Sequence, residues 1–213
     1  MTGIKLTVTA GPTREKLDPV RFLSNNSTGK MGYAIAKMAM LRGAEVTLIS
    51  GKVSLEPVPF VKMVDIVSAE DMYNAVRACA YKQDIIIKAA AVADYTPKIV
   101  AEQKIKKNDG DMTIELVRTK DILKSLGESK REGQLICGFS METENLIENS
   151  RKKLKKKNAD MIVANSISDK GAGFGVDTNI VTIITENDET SLGLLSKDAV
   201  ADEILTKLIA MKG

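Results

Sequence analysis

The residues between the first predicted strand and the first predicted helix have the types that bind phosphate or carboxylate groups. This loop, residues 11–29, is rich in hydroxyl, amide and cationic side chains. It is far longer than the usual connection between a strand and a helix, which favours a functional role. Main-chain N–H groups are unpaired at a helix amino terminus, and the helix dipole is positive there. The loop is therefore predicted to bind an anion, although Ser27 or Thr28 taken alone could instead cap the helix.

Two better-known motifs come close to this region, and neither fits. A GxxxxGK[ST] phosphate loop would require glycine at Ser24 and a hydroxyl group at Met31. Tyr33 and Lys37 have the YxxxK spacing of short-chain dehydrogenases, but in those enzymes the pair lies on a later helix. We interpret this pair as a chance pattern on the first helix.

The absence of histidine from all 213 residues limits the possible chemistry. It excludes Ser-His-Asp triads, histidine-ligated metals and histidine acid–base catalysis. Lysine, carboxylate, amide, hydroxyl and main-chain groups remain, and they suit phosphate and acyl-phosphate chemistry based on charge stabilisation. Cys79 and Cys137 lie at the spacing of neither a zinc site nor a CxxC motif, so we expect no metal centre or disulfide scaffold from them. A reducing cytoplasm is the expected location.

The net charge of +3 is too small to indicate a nucleic-acid or membrane partner. No apolar run is long enough to span a bilayer, and the amino-terminal residues are typical of a strand rather than a signal peptide. A dense basic run, residues 151–157, is typical of a solvated helix face or of a nucleic-acid patch. Within it Lys153 and Lys157 share one helical face, so both could point at the same phosphate groups. We expect no nucleic acid and no membrane.

Hydrophobic periodicity predicts strands and helices that alternate along the chain. The predicted strands cover residues 4–10, 45–50, 60–67, 84–92, 134–139, 160–165 and 179–185. The predicted helices cover residues 30–42, 68–80, 119–126, 143–158 and 197–211. This alternation predicts one Rossmann-like, doubly wound α/β domain over residues 1–213, with a mainly parallel sheet and an antiparallel addition near the carboxyl terminus. Ligands bind beyond the carboxyl ends of the strands in such a sheet, so the loops after Ala10, Ala90, Phe139 and Asn165 form the candidate site.

Five segments at or near these loops have distinctive sequences. They are TAGPTRE with LDPVRFLSNNSTGKMG (9–32), KAAAVADY (88–95), KIKK (104–107), GFSMET (138–143) and KLKKKNADMIVAN (153–165). In this order they resemble phosphopantothenoylcysteine synthetase in its bacterial, CTP-using form, over nearly the whole chain. The sequence departs from that family at Lys120, where a proline is common.

The resemblance implies a ligase of coenzyme A biosynthesis that works in two steps. The carboxylate of 4'-phosphopantothenate attacks the α-phosphate of CTP and releases pyrophosphate, and the amine of L-cysteine then displaces CMP. The resemblance also implies Mg²⁺ as a cofactor, no flavin in this chain, and a homodimer in which residues 97–115 form a flap or a dimerisation segment. Fusion to, or association with, a flavin-dependent phosphopantothenoylcysteine decarboxylase is a further expectation, because many bacteria join the two enzymes.

The same resemblance assigns roles to individual residues. Asn25 would hold the acyl intermediate and, with Arg21, the pantothenate substrate, while Lys104 would stabilise charge at the α-phosphate. Asp94 would also contact Mg²⁺. The residues assigned to the nucleotide and its phosphates are Gly11, Ser27, Gly29, Ala90, Ala91, Asp94, Lys104, Asp121, Phe139, Lys153 and Lys157.

Two other classes of function are compatible with parts of the sequence. An NADP-dependent Rossmann oxidoreductase is disfavoured because no GxGxxG or TGxxxGxG motif follows the first strand. A basic nucleic-acid-binding module built on residues 151–157 is disfavoured by the small net charge and by the scarcity of aromatic side chains.

Overall fold

The computed structural model describes residues 1–107, 110–142, 144–166 and 173–213. The predicted start of a helix at Thr143, which also ends the GFSMET segment, lies outside these residues. The strands are β1 (Lys5–Ala10), β2 (Arg14–Lys16), β3 (Phe22–Ser24), β4 (Glu45–Ser50), β5 (Lys62–Asp65), β6 (Ile85–Lys88), β7 (Tyr95–Pro97), β8 (Leu116–Arg118), β9 (Leu135–Glu142), β10 (Met161–Ser166), β11 (Thr178–Thr185) and β12 (Glu189–Ser196). The helices are α1 (Lys30–Leu41), α2 (Ala69–Ala80), α3 (Ile122–Glu128), α4 (Leu146–Lys156) and α5 (Lys197–Lys212).

The central sheet has the strand order β12-β11-β10-β9-β6-β1-β4-β5. The six strands from β5 to β10 in this order pair in parallel, and β11 and β12 add antiparallel pairs at one edge. The order of the parallel strands reverses between β1 and β6, which makes this point the topological switch of a Rossmann-like sheet. The predicted doubly wound fold with an antiparallel addition is therefore confirmed, and β12 is a strand that the sequence pattern did not reveal.

Helices cover both faces of the sheet. One buried cluster joins the sheet to α1 and α5, and the other joins it to α2, α3 and the Leu154 side chain of α4. In β6 the side chains of Ile85 and Ile87 enter the first cluster and that of Ile86 enters the second, all with no exposed surface. A strand covered on both faces has no polar side, which explains its continuous apolar sequence. No helix in the described part of the chain is both long and apolar enough to cross a membrane.

Several predicted boundaries need correction. The strand predicted over residues 84–92 ends at Lys88, because the following residues leave the sheet to line a cavity. The strand predicted from Phe60 begins at Lys62; Phe60 itself is exposed and has φ 61°, outside the extended region. The helix predicted from residue 119 begins at Ile122, after the Asp121 side chain accepts a hydrogen bond from the N–H of Lys124.

The two long connections contain strand pairs of their own. In the first loop β2 pairs with β3, and the guanidinium of Arg14 lies 4.6 Å from the centre of the Phe22 ring. In the segment from 95 to 118, β7 pairs with β8 and brings the ends of the predicted flap together. Short three-residue strands have too little periodicity to be recognised in sequence.

A glycine allows α3 to contact the carboxyl end of α4 directly. A Cβ atom on Gly127 would lie 1.9 Å from the main-chain oxygen of Lys157, and the Asn158 amide donates a 2.9 Å hydrogen bond to the oxygen of Gly127. This close approach places Asp121, at the start of α3, within reach of Lys157.

Gly127→Ala should destabilise the protein by about 1–3 kcal/mol, because its methyl group would displace main-chain atoms in a packed contact. Gly193→Ala is the matched control, since a Cβ atom there would meet open space, and its effect should stay within about 0.5 kcal/mol. Urea unfolding of the two variants measures the difference. Equal free energies of unfolding would contradict the proposed contact.

Candidate functional site

Two adjoining cavities lie beyond the carboxyl ends of the parallel strands. Their volumes are about 280 Å³ and 450 Å³, and they meet at Lys88, Val92, Asp94 and Lys153. Among the predicted site residues, the first cavity is lined by Asn25, Ser27, Gly29, Ala90, Ala91, Asp94, Phe139 and Lys153. The second is lined by Asp94, Asp121, Lys153 and Lys157. The fold thus brings together residues from the loops after β1 and β6, from strand β9, from the start of α3 and from α4.

The amino terminus of α1 opens onto the first cavity. Its N-cap is Gly29, with φ 79°, and no side chain caps the helix. The alternative that Ser27 or Thr28 caps α1 is therefore wrong. Instead, the Thr28 hydroxyl donates to the main-chain oxygen of Phe174 at 2.5 Å, and the Ser27 hydroxyl accepts from the N–H of Gly29 at 3.4 Å. The first-turn N–H groups of α1 can thus be paired by a bound anion.

Main-chain hydrogen bonds join the loop after β1 to the loop after β6. The N–H of Ala91 donates to the oxygen of Gly11 at 3.0 Å, and the N–H of Thr13 donates to the oxygen of Ala91 at 3.3 Å. The main-chain oxygen of Ala91 also accepts a 3.1 Å hydrogen bond from the amide nitrogen of Asn25. Asn25 is consequently held at the cavity wall by the neighbouring loop. Gly11 has φ 74°, a conformation that favours glycine.

The two predicted lysines of α4 both reach the site. Lys153 donates to the main-chain oxygen of Phe139 at 2.8 Å, and Lys157 pairs with the carboxylate of Asp121 at 2.5 Å. Burial opposes ionisation of Asp121, but the hydrogen bonds from Lys157 and from the N–H of Lys124 outweigh it, and the pKa of Asp121 lies below its ordinary value. Asp121 therefore remains a carboxylate and fixes the position of Lys157.

Lys88 is a site residue that sequence reasoning missed. It ends the apolar strand β6 and lines both cavities. Burial, followed by repulsion from Lys153, lowers the pKa of Lys88 to about 8, while Asp121 and Asp94 act in the opposite direction. A cation is rarely placed at the end of an otherwise apolar central strand, and this was the available signal in the sequence.

Arg21 and Lys104 lie outside the lining of both cavities. The guanidinium of Arg21 pairs with Asp18 at 2.5 Å and donates to the main-chain oxygen of Ile105 at 2.8 Å. Asp18 also accepts from the N–H of Ile105, and the hydrogen bond from Arg21 holds the pKa of Asp18 well below its usual range. Arg21 thus fixes the backbone next to Lys104, whose side chain is exposed. Their assigned roles in substrate binding and catalysis stay predictions.

Two side-chain oxygen groups at the cavity wall could contact a ligand: the carboxylate of Asp94 could bind Mg²⁺, and the amide oxygen of Asn165 could accept a hydrogen bond. Asp94 lines both cavities, and Mg²⁺ is commonly held by one or two carboxylates together with substrate phosphates. Within the described ranges there is no group of three carboxylate or thiol side chains that could hold a metal alone. The side-chain oxygen of Asn165 is buried in the wall with no described hydrogen-bond partner, which marks a contact point for a bound group.

Comparison with known proteins identifies the family. Residues 1–211 match the C-terminal domain of the DNA/pantothenate metabolism flavoprotein. The chain belongs to this family. It is 52% identical to the coenzyme A biosynthesis bifunctional protein CoaBC of Bacillus subtilis over 213 residues, covering 99% of this chain and 52% of that protein. The Escherichia coli CoaBC is 44% identical over 209 residues, covering 97% of this chain and 52% of that protein. The chain thus spans about half the length of these relatives.

Solved structures show the same architecture. The crystal structure of the C-terminal domain of CoaBC superposes with a TM-score of 0.85 and 48% identity, covering 99% of this chain and 96% of that one. A Cab2 mutant in complex with phosphopantothenate-cysteine superposes with a TM-score of 0.81, covering 98% of this chain and 86% of that one. At 17% identity, the second likeness concerns the fold alone.

Lys88→Met should weaken nucleotide binding at pH 7 by about tenfold or more, because a hydrogen bond to a charged group contributes about 1.5–3 kcal/mol. In the unaltered protein the affinity should fall as pH rises through about 8, since Lys88 then loses its charge. Calorimetric titration at several pH values measures both effects. A pH dependence that persists unchanged in Lys88→Met would contradict the assignment to Lys88.

The same pKa has a consequence for stability. Because the folded-state pKa is lowered, the cost of burying the charged amine is present below pH 8 and disappears as pH rises above it. Lys88→Met should therefore raise the free energy of unfolding at pH 7 while it lowers the affinity for a nucleotide. This combination separates a residue retained for ligand binding from one retained for folding.

Proposed function

We propose that this chain is a phosphopantothenate–cysteine ligase that activates its acid substrate with CTP. The main support is one spatial arrangement: Asn25 and the amino terminus of α1 line the same cavity as Lys88 and Lys153. Such a site can hold an acyl group beside a chain of phosphates. The 48% identity to the C-terminal domain of CoaBC supports the same activity, and Cab2, which shares the fold, is named as a complex with phosphopantothenate-cysteine.

In this proposal the nucleotide lies along both cavities. The N–H groups of α1 bind phosphate oxygens, and the ammonium groups of Lys88 and Lys153 neutralise them. Phe139 and the small side chains of Ala90 and Ala91 leave space for the flat base and the ribose. Asp94 holds Mg²⁺, which supplies additional neutralisation of the phosphates.

The first step forms an acyl-cytidylate. A carboxylate oxygen of 4'-phosphopantothenate bonds to the α-phosphorus of CTP, the bond from that phosphorus to the bridging oxygen breaks, and pyrophosphate leaves. Negative charge grows around the α-phosphate, so a positioned cation lowers the barrier. Lys104 is the proposed cation. It lies on an exposed segment whose next residue, Ile105, is fixed by Arg21 and Asp18.

The second step forms the amide. The amine nitrogen of L-cysteine bonds to the acyl carbon, the bond from that carbon to the phosphate oxygen breaks, and CMP leaves with the electron pair while the amine loses a proton. Asn25 is the proposed partner of the acyl group, because its amide is held at the cavity wall by the oxygen of Ala91. An amide that is already held in place can donate a hydrogen bond to the negatively charged oxygen of the tetrahedral intermediate, without the cost of moving the side chain during the reaction.

We also propose that the chain forms a homodimer through its two short strand pairs. The β2–β3 pair and the β7–β8 connection adjoin, since the N–H of Ala101 donates to the oxygen of Leu17 at 3.0 Å. Large apolar side chains are exposed on both, including Val20 at 62% and Ile99 at 78%. An apolar surface shared by two segments is typical of a protein interface. Association with a flavin-dependent decarboxylase, as the bifunctional relatives suggest, stays a prediction.

A mixture of CTP, 4'-phosphopantothenate, L-cysteine and Mg²⁺ should give pyrophosphate, CMP and phosphopantothenoylcysteine. Lys104→Gln should reduce acyl-cytidylate formation by about a hundredfold or more, the usual effect of losing a stabiliser of transition-state charge. Asn25→Asp should form the intermediate and convert it slowly to product. Single-turnover mass spectrometry follows both steps.

Lys106→Gln is the matched control, because it removes the same charge two positions away in the KIKK segment. Release of no pyrophosphate by the unaltered protein, with either CTP or ATP, would overturn the proposed function. Normal intermediate formation in both Lys104→Gln and Asn25→Asp would overturn the role of Lys104. Comparing turnover of CTP with that of ATP tests the choice of base.

The dimer is tested by adding charge to the exposed apolar surface. A variant carrying Val20→Asp and Ile99→Asp should be monomeric, because burying two carboxylates in an apolar interface is unfavourable. Leu41→Asp is the control, since Leu41 is equally exposed, at 63%, but lies at the far end of α1. Light scattering should give a dimer for the control and a monomer for the double variant. A monomeric unaltered protein would rule out the interface.

A further inference from the structure

The segment from Gly173 to Thr178 forms part of the wall of the first cavity, and its conformation is set by donors outside it. Its six consecutive main-chain oxygens all accept hydrogen bonds from other parts of the chain. Gly173 and Phe174 in this segment line the cavity that also contains Asn25. The shape of this wall therefore depends on the residues that supply the donors.

Lys197 supplies most of these donors. Its ammonium group donates to the oxygens of Gly173 at 2.9 Å, of Thr178 at 3.2 Å, and of Val176. Its main-chain N–H donates to the oxygen of Asp177 at 2.9 Å. An ammonium group has three hydrogens, so the three carbonyl oxygens use all of them. Lys197 is thus saturated by the segment and has no hydrogen left for a ligand.

Its position is costly for folding. Lys197 is only 6% exposed and is the first residue of α5, where the helix dipole disfavours a positive charge. Burial, followed by repulsion from Lys30, lowers the pKa of Lys197, and Asp177 partly offsets this. The Ser196 side chain already caps α5, so the helix does not need Lys197. Because burial and the helix dipole both disfavour this cation, and the helix is capped without it, we attribute the presence of Lys197 to its hydrogen bonds with the 173–178 segment.

Three further contacts connect the segment to the amino terminus of α1. The Thr28 hydroxyl donates to the oxygen of Phe174 at 2.5 Å, and the ammonium group of Lys30 donates to the oxygen of Gly175 at 2.9 Å. Lys30 also pairs with the carboxylate of Asp177 at 2.7 Å. The wall is consequently fastened on one side by α5 and on the other by the helix end that faces the cavity.

We propose that Lys197 is a positioning residue that holds the 173–178 segment against the amino terminus of α1 and so completes the phosphate-binding wall of the cavity. The binding role rests on the proposed function; the control of the segment's conformation does not. Lys197 also lines the first cavity, but its ammonium hydrogens are taken by the carbonyl groups of Gly173, Val176 and Thr178, and in this proposal it acts through them.

The test combines Lys197→Met and Lys197→Arg with the control Lys37→Met. Lys37 lies on α1 and pairs with Asp198 of α5, so it joins the same two helices without contacting the segment. Hydrogen exchange of the 173–178 amides is measured without ligand, and CTP affinity is measured by calorimetry. Lys197→Met should speed exchange in the segment and weaken CTP binding by about tenfold, the effect of losing about one hydrogen bond to a charged group. Lys37→Met should change neither.

Lys197→Arg keeps the charge, but a planar guanidinium cannot direct its hydrogens at the same three oxygens. Its exchange rates and CTP affinity should therefore lie between those of the unaltered protein and Lys197→Met. If Lys197→Met does not fold, the proposal is tested on Lys197→Arg instead. Unchanged exchange in both Lys197 variants would overturn the proposal. Weaker CTP binding with unchanged exchange would also overturn it, because Lys197 would then act on the ligand directly. Failure of the unaltered protein to bind CTP would refute the proposed function alone, since the exchange result stands without it.

Discussion

The site depends on a junction between two loops that would otherwise separate. Strands β1 and β6 are neighbours, but the chain leaves them toward opposite faces of the sheet, which opens a crevice at the switch point. Beyond the strand ends, the N–H of Ala91 donates to Gly11, and Thr13 donates to Ala91. The Thr13 hydroxyl also accepts from the N–H of Ala93 at 3.0 Å. These bonds hold the two loops together, so that Asn25 is fixed at the cavity wall beside the loop that follows β6.

Around this junction, positive charges are held by different means. Lys157 is neutralised by Asp121, and Lys153 is directed by the main-chain oxygen of Phe139. Lys88 is destabilised by burial and by Lys153, as its lowered pKa reflects. Buried like charges oppose folding, and an anionic ligand relieves the repulsion on binding. Under the proposed function, the site would gain part of its affinity for phosphate groups from charges that oppose folding.

Two cationic residues, Arg21 outside the cavities and Lys197 in the wall of the first, act on the backbone. Arg21 was expected to bind substrate, and in the structure it joins Asp18 to the main chain of Ile105. Lys197 similarly acts through main-chain oxygens. In both cases a long cationic side chain connects segments that are distant in sequence. Periodicity and motif comparison cannot reveal such contacts, because the partner is a main-chain oxygen that every residue carries.

Much of the arrangement was determined by the sequence. The apolar runs and the turns between them were sufficient to predict the doubly wound sheet, because a strand that is buried on both faces has a continuous apolar sequence. Ten of the site residues named from the sequence line the two cavities, including Asn25, Lys153 and Asp121.

Tertiary structure alone decided which cations enter the cavity and which support its walls. Lys88, Lys104 and Lys197 are the same residue type. The apolar strand before Lys88 is a signal in the sequence, but the sequence neighbours of Lys104 and Lys197 do not separate their roles. Lys88 lines both cavities, Lys104 is exposed outside them, and Lys197 is saturated by carbonyl oxygens. The role of an ammonium group depends on its burial and on the donors and acceptors around it, and folding sets both by joining residues far apart in the chain.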